Sequence, residues 1–231
     1  MRVRPIIGLC LCNRAESVQL AVFDLSNLFI GAHGKIDIRK AYHLITGRRP
    51  VDKTVYIGSA SSKQTAEGLD ETMKSLGEEV DGTIQVRVPG EGEQLVDTTI
   101  ASHIMHTVLN HHTSGRPPGG IILVSGDGKC SDTVSIFSAV EQAAKLGWSV
   151  EINSWERCLS RNYWDLRSSY PLVKVLLLDP YRDAISYKKT RLCKFWAEGT
   201  PCPHRSCDFA HGEHELQRPT CHPCIGNWVT F

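Results

Sequence analysis

Ile121-Ile122-Leu123-Val124-Ser125-Gly126-Asp127-Gly128 is an unbroken apolar run that stops on a serine, a glycine and an aspartate. A run this short and rich in branched residues reads as a strand over Ile121–Ser125. Before this run, Thr113 to Gly120 contains Pro117, Pro118 and two following glycines, cannot continue a helix and reads as a surface loop. Upstream of that loop Val96, Ile100, Ile104 and Val108 recur at four-residue steps, and downstream of the strand Val134, Phe137, Val140 and Ala144 recur at three and four. Both patterns predict amphipathic helices lying on a sheet, the second with Ser131 as its N-cap and Gly147 as its stop. Five further strands are expected at Leu20–Asp24, Thr54–Gly58, Ile84–Val88, Ser149–Asn153 and Val173–Leu178. Strands alternating with helical segments predict an α/β, three-layer domain with a mostly parallel central sheet across residues 19–179.

The remainder of the chain has a different texture. Asp179-Pro180-Tyr181-Arg182 breaks the last strand, and beyond it Cys, His, Pro and basic residues accumulate without apolar periodicity. A boundary near Ser186 follows, with a linker over 180–187, a small module over 188–216 and a disordered tail over 217–231. A module of this size folds only with a staple such as a metal. Residues 1–18 read as a leader strand or flexible arm, because their apolar run is short and lacks a cleavage-site pattern.

Composition is that of a globular protein, with 41% hydrophobic and 22% charged residues among 231. The formal net charge of +1 neither demands nor excludes a nucleic-acid partner, so any basic surface is local. No stretch reaches the roughly 18 continuous apolar residues of a membrane span, and no membrane partner is expected. Five of the nine cysteines fall between Cys193 and Cys224 beside several histidines, a clustering that points to metal rather than a disulfide framework. Cys10, Cys12, Cys130 and Cys158 are scattered and read as reduced small hydrophobes. A reducing compartment, cytoplasm or nucleus, is the expectation.

In open parallel sheets ligands sit beyond the carboxyl ends of the strands. Asp24 ends the first strand, Asp127 follows the fourth, and Asp97 opens the helix after the Gly90–Gly92 loop; Asp132 adds a fourth carboxylate in the next helix. Carboxylates gathered at one edge repel one another unless a divalent cation neutralises them, so the set implies Mg²⁺ or Mn²⁺. Metal held in this way suits phosphodiester hydrolysis. Taken singly, each acid is equally a strand end, a turn or a helix-start residue. Their joint placement at one edge is what favours a site.

These segments resemble the NYN branch of the PIN-like ribonuclease fold. Phe23-Asp24-Leu25-Ser26-Asn27-Leu28 is similar to its opening motif, Leu95-Val96-Asp97-Thr98 to its central motif, and Leu123 to Gly128 to its Ser-Gly-Asp motif. The likeness runs on through Gly147-Trp148-Ser149-Val150-Glu151 and covers about two thirds of the chain. It implies that Asp24, Asp97 and Asp127 bind the catalytic metal, that Asn27 partners them, and that Asp132 is a further catalytic acid. Gln94 and Lys129 depart from the family's usual residues. They keep open the alternative of a non-catalytic RNA-binding adaptor on the same scaffold.

Cys193-x8-Cys202-x4-Cys207-x3-His211 supplies three thiolates and an imidazole, the tetrahedral ligand set of a structural zinc site. His204 and His214 are alternative ligands that the spacing favours less. Cys221 and Cys224 are followed by too few ligands for a second site. With Lys189-Thr190-Arg191-Leu192 before it and Asp208-Phe209-Ala210-His211-Gly212 at its end, the module resembles the CCCH fingers of the tristetraprolin type. That resemblance implies single-stranded RNA, messenger RNA in particular, as partner, with Phe209 and His204 stacking on bases. Lys188, Lys189, Arg191, Lys194 and Arg205 are the candidate phosphate contacts. A metal-dependent ribonuclease, in endonuclease mode, whose finger engages the RNA is therefore expected; nothing indicates a homo-oligomer.

Overall fold

A computed structural model describes residues 18–32, 36–47, 49–77, 79–86, 94–128, 135–189, 191–204, 207 and 209–216. Asp132, Lys129, Ser131, Arg205, the arm before residue 18, the tail after 216, and Cys10, Cys12, Cys130, Cys221 and Cys224 lie outside the described residues, as does the side chain of Gln94. The chain divides between Ile185 and Ser186 into two compact units.

The first unit is built on one six-stranded sheet. Its strands are β1 (Gln19–Asp24), β2 (Lys53–Ala60), β3 (Val80–Val86), β4 (Gly120–Val124), β5 (Ser149–Ser154) and β6 (Val173–Leu177). They lie in the order β3-β2-β1-β4-β5-β6 and every neighbouring pair is parallel. Chain order therefore reverses between β1 and β4, the switch point at which open α/β sheets form a crevice. Between the strands run α1 (Leu25–Ala32), α2 (Ile38–Thr46), α3 (Lys63–Lys74), α4 (Gln94–Thr113), α5 (Ile136–Lys145) and α6 (Arg161–Ser169), and α7 (Arg182–Ile185) closes the unit.

At its centre both faces of the sheet are buried, so β1 and β4 read as continuous apolar runs rather than as alternating ones. Leu20, Val22, Ile121, Leu123, Val150 and Ile152 face α4, α5 and α6. Ala21, Phe23, Tyr56, Ile122 and Val124 face α1, α2 and α3. By the two-residue alternation of a strand, Asp24 continues the Leu20, Val22 row and Ser125 the Ile121, Leu123 row. Both side chains thus emerge on the α4–α6 side at the carboxyl edge.

α1 follows β1 without a loop, and its last carbonyls are satisfied from elsewhere. Trp155 Nε1 donates to Leu28 O at 2.8 Å, Arg157 to Ile30 O and Arg182 to Ala32 O. The Arg182 guanidinium also lies 4.3 Å over the Trp155 ring and pairs with Asp179 at 3.0 Å. Cationic donors at a helix C-terminus meet both the orphan carbonyls and the negative end of the dipole.

Three boundaries differ from the sequence expectation. β3 runs over Val80–Val86 instead of beginning at Ile84, because its register on β2 starts with Val80 opposite Thr54. The Asp81-Gly82 pair that suggests a turn is strand, and a Cβ at Gly82 would come 2.0 Å from Tyr56 O. α5 is capped by Ser135, not Ser131: the Ser135 side chain accepts from the Ser138 N–H while Ser138 answers the Ser135 N–H. Gly147, at φ +82, ends that segment as expected. Residues 180–185, expected in a linker over 180–187, pack into the first unit, with Ile185 buried and its carbonyl accepting from Asp37 N at 2.9 Å.

The second unit holds the short helix α8 (Lys194–Ala197) and two isolated bridges, Lys189 to Leu216 and Leu192 to Ala210. Cys193 N donates to Ala210 O at 2.8 Å and Ala210 N to Arg191 O at 2.7 Å, a clasp between the two ends of the module.

Candidate functional site

Asp24 and the Ser125-Gly126-Asp127 turn meet at the switch point. Asp24 is 3% exposed; its Oδ1 accepts from Asn27 N at 2.9 Å, capping α1, and its Oδ2 accepts from Ser125 Oγ at 3.0 Å. Ser125 Oγ in turn accepts from Asp127 N at 3.2 Å, and Asn27 Oδ1 accepts from Gly126 N at 3.0 Å. The ends of β1 and β4 are thereby laced by two side chains, Ser125 and Asn27. Gly126 is required by space: a Cβ there would stand 2.3 Å from Cys158 O and from Ser154 Oγ.

Asp97 sits half-buried in the first turn of α4. Tyr163, on α6 and fully buried, reports on all three acids. Burial first, then the negative charges of Asp127, Asp24 and Asp97, push its phenol well above its ordinary value. Its hydroxyl donates to Asp127 O at 2.9 Å.

The convergence is loose. Among the described residues, Asp24, Asp97 and Asp127 do not form a set whose ligand atoms all lie within 4.8 Å of one another, whereas Cys193, Cys202, Cys207 and His211 do. At the opposite edge of the sheet, a cleft of about 600 Å³ is lined by Tyr42, His43, Arg49 and the start of β3, and by none of the acids considered above.

In the second unit the Cys/His set fits a metal such as zinc on three counts. A tetrahedron with Zn–S distances of about 2.3 Å has sulfur–sulfur edges of about 3.8 Å, within the observed spacing. His211 Nε2 is buried with no hydrogen-bond partner, an orphan that a metal satisfies. Burial alone would raise the Cys193 thiol, but the Trp196 amide and the neighbouring Cys202, Cys207 and His211 outweigh it and bring it to about 7. Cys193, Cys202 and Cys207 are free thiols, as is Cys158 in the first unit.

The surroundings of His211 complete the site. Trp196 stacks on its ring with centroids 5.7 Å apart, and Glu215 Oε2 accepts from its backbone N–H at 3.0 Å. Lys189 Nζ pairs with the same Glu215 oxygen at 2.8 Å and donates to Phe209 O at 3.0 Å. Burial would raise the Glu215 carboxyl, yet Lys189 and the His211 amide hold it below its ordinary value.

The candidate RNA contacts divide accordingly. Phe209 is 45% exposed, Trp196 51%, and His204 is exposed with its ring 6.3 Å from that of Phe195. Arg191 and Lys194 lie on the surface, Lys194 loosely paired with Glu198 at 3.9 Å. Lys189, expected as a phosphate contact, instead turns inward, its side chain 14% exposed. Lys188 is half-buried.

Several site residues escaped the sequence reading. Tyr163, Asn162 and Ser160 carry no motif, because their partners are backbone carbonyls more than thirty residues away. Ser125 was not singled out either, though a signal for it existed: its place in the Ile121, Leu123 row puts it beside Asp24. Trp196, which carries no motif in the sequence, is a ring partner of His211. No protein-family model, curated protein or solved structure matches the chain.

Proposed function

We propose that the protein is an RNA-binding, divalent-metal-dependent ribonuclease that hydrolyses phosphodiester bonds of single-stranded RNA, messenger RNA being the expected class. The observation that carries this reading is the lacing of Asp24 to Asp127 through Ser125 at the switch point of the sheet. Asp24, Asp97 and Asp127 would hold Mg²⁺ or Mn²⁺, oxygen-preferring cations suited to such a set. The ion supplies polarisation of the scissile phosphate and activation of water. Ser125 and Asn27 orient the Asp24 carboxylate through its two oxygens, and Asn27 also fixes the Gly126 amide. Asp132, outside the described residues, is assigned only by resemblance.

The finger contributes RNA capture. Zinc on Cys193, Cys202, Cys207 and His211 fixes a small scaffold from which Phe209, Trp196 and His204 present exposed rings for unpaired bases. Arg191 and Lys194 would meet phosphates.

A non-catalytic RNA-binding adaptor is the second reading, supported by the loose spacing of the three acids. Incubation of labelled single-stranded RNA with the zinc-loaded chain in Mn²⁺, Mg²⁺ or EDTA separates the two. Metal-dependent fragments, lost in an Asp24→Asn, Asp127→Asn double variant, are the expected result; RNA that is bound and recovered intact in every metal would replace the ribonuclease by the adaptor.

A further inference from the structure

The loop that carries Asp127 is gripped from one side by the first turn of α6. Ser160 N donates to Gly126 O at 2.9 Å, Tyr163 OH to Asp127 O at 2.9 Å, and Asn162 Nδ2 to Gly128 O at 2.7 Å, with Ser160 Oγ near the same oxygen at 3.4 Å. Three consecutive carbonyls are thus bound by three side chains and an amide of one helical turn. From the other side the amides of Gly126 and Asp127 are taken by Asn27 and Ser125. Both the N–H and the C=O of Asp127 are therefore anchored, which fixes its two peptide planes and so the direction of its Cα–Cβ bond.

The grip is built tightly. Tyr163 is 0% exposed and its ring packs on Phe137 with centroids 5.6 Å apart, so its hydroxyl cannot swing away. A Cβ at Gly128 would stand 2.6 Å from Ser160 Cβ and 3.2 Å from the Tyr163 ring, so only glycine allows the loop this close to α6.

We propose that the first turn of α6, with Tyr163 at its centre and Ser160 and Asn162 beside it, is a positioning clamp that sets the approach of the Asp127 carboxylate to a divalent metal. The clamp rests on the reading of Asp127 as a metal ligand. Tyr163 is a positioning residue: it acts on Asp127 through the backbone and touches neither metal nor RNA in this scheme. A clamp of this kind tunes metal affinity more than the maximal rate, because excess metal restores occupancy of a slightly misaimed ligand set.

The test is Mn²⁺ titration of the zinc-loaded full chain, followed by the electron paramagnetic resonance of free Mn²⁺ and, in parallel, by cleavage of single-stranded RNA. Tyr163→Phe keeps the buried ring and removes only the hydroxyl. It is expected to raise the Mn²⁺ concentration for half-saturation about 10-fold in both readouts, with most of the maximal rate recovered at high Mn²⁺. Asn162→Ala, at a half-buried site, is expected to shift it in the same direction and serves should the Tyr163 variant fail to fold. An unchanged half-saturation in folded variants, with RNA still cut, overturns the clamp alone. A shifted Mn²⁺ titration with RNA left intact keeps the clamp and overturns the ribonuclease. Binding of no Mn²⁺ by the parent chain overturns both.

Discussion

At the scale of single residues, the chemistry of the acidic edge is decided by neighbours a few ångströms away. Asp24 was legible as a strand-end acid, and the alternation Leu20, Val22, Asp24 against Ile121, Leu123, Ser125 is enough to pair it with Ser125. Asp97 was legible as a helix-start acid, but how far it stands from the other two depends on the loop before α4, which no local pattern specifies. Tyr163 was illegible, since a buried tyrosine in a polar helix looks like packing until its hydroxyl is seen on Asp127 O. Gly126 tests the turn itself. Gly126→Ala drives a methyl into Cys158 O and Ser154 Oγ, so it should cost roughly 1–3 kcal/mol of stability in urea unfolding. Because the same shift moves Asp127, metal-dependent activity should fall further than stability does. Loss of stability with an unchanged metal concentration for half-maximal activity would detach this turn from the site.

At the scale of elements, α4, α5 and the central strands were legible in the sequence, whereas α1, α2, α3 and α6 were not read from it and the edge strand β3 was read only from Ile84 onward. β1 and β4 are buried on both faces and announce themselves as apolar runs. β3 lies at the edge, alternates between half-buried and exposed, and carries Asp81-Gly82, so only its pairing with β2 identifies its start. The junction of β2 and α3 is polar and titratable. Tyr56 OH donates to Asp70, whose carboxyl also pairs with Lys74 at 2.7 Å. Lys74 first and Tyr56 second hold Asp70 below its ordinary value. A carboxylate depressed in the folded state stabilises above its unfolded pKa and loses that contribution as pH falls through the folded one. Asp70→Asn should thus cost about 1 kcal/mol at neutral pH. The difference from the parent should shrink as pH falls below about 4 and vanish well under that value. A constant difference across pH 7 to 3 in denaturant midpoints would show that the carboxylate's charge is not what stabilises the junction.

At the scale of the whole molecule, the chain joins two units with different sources of stability. Residues through Ile185 bury two apolar layers around the sheet, whereas the second unit has isolated bridges and a Cys/His set in place of a core. A change of composition follows Leu178 in the sequence; the packing of residues 180–185 was hidden because their few apolar side chains, Ile185 above all, gain meaning only against α2. Zinc removal by a strong chelator should unfold residues 186–216 and leave the melting of the first unit in place, since structural zinc sites supply the folding free energy of such modules. Elemental analysis should find one zinc per chain, falling to none in His211→Ala with Cys207→Ser. Among the described residues no helix is long and apolar enough to cross a membrane. Cleavage of RNA at the acidic edge is read by single-turnover reaction of a fluorescent single-stranded RNA with the zinc-loaded chain across a Mn²⁺ series. The rate is expected to rise with Mn²⁺ and to drop by more than about 100-fold in Asp24→Asn, Asp127→Asn at unchanged RNA affinity. Equal cutting by the variant, or RNA bound and intact at every Mn²⁺ concentration, would contradict cleavage at this edge.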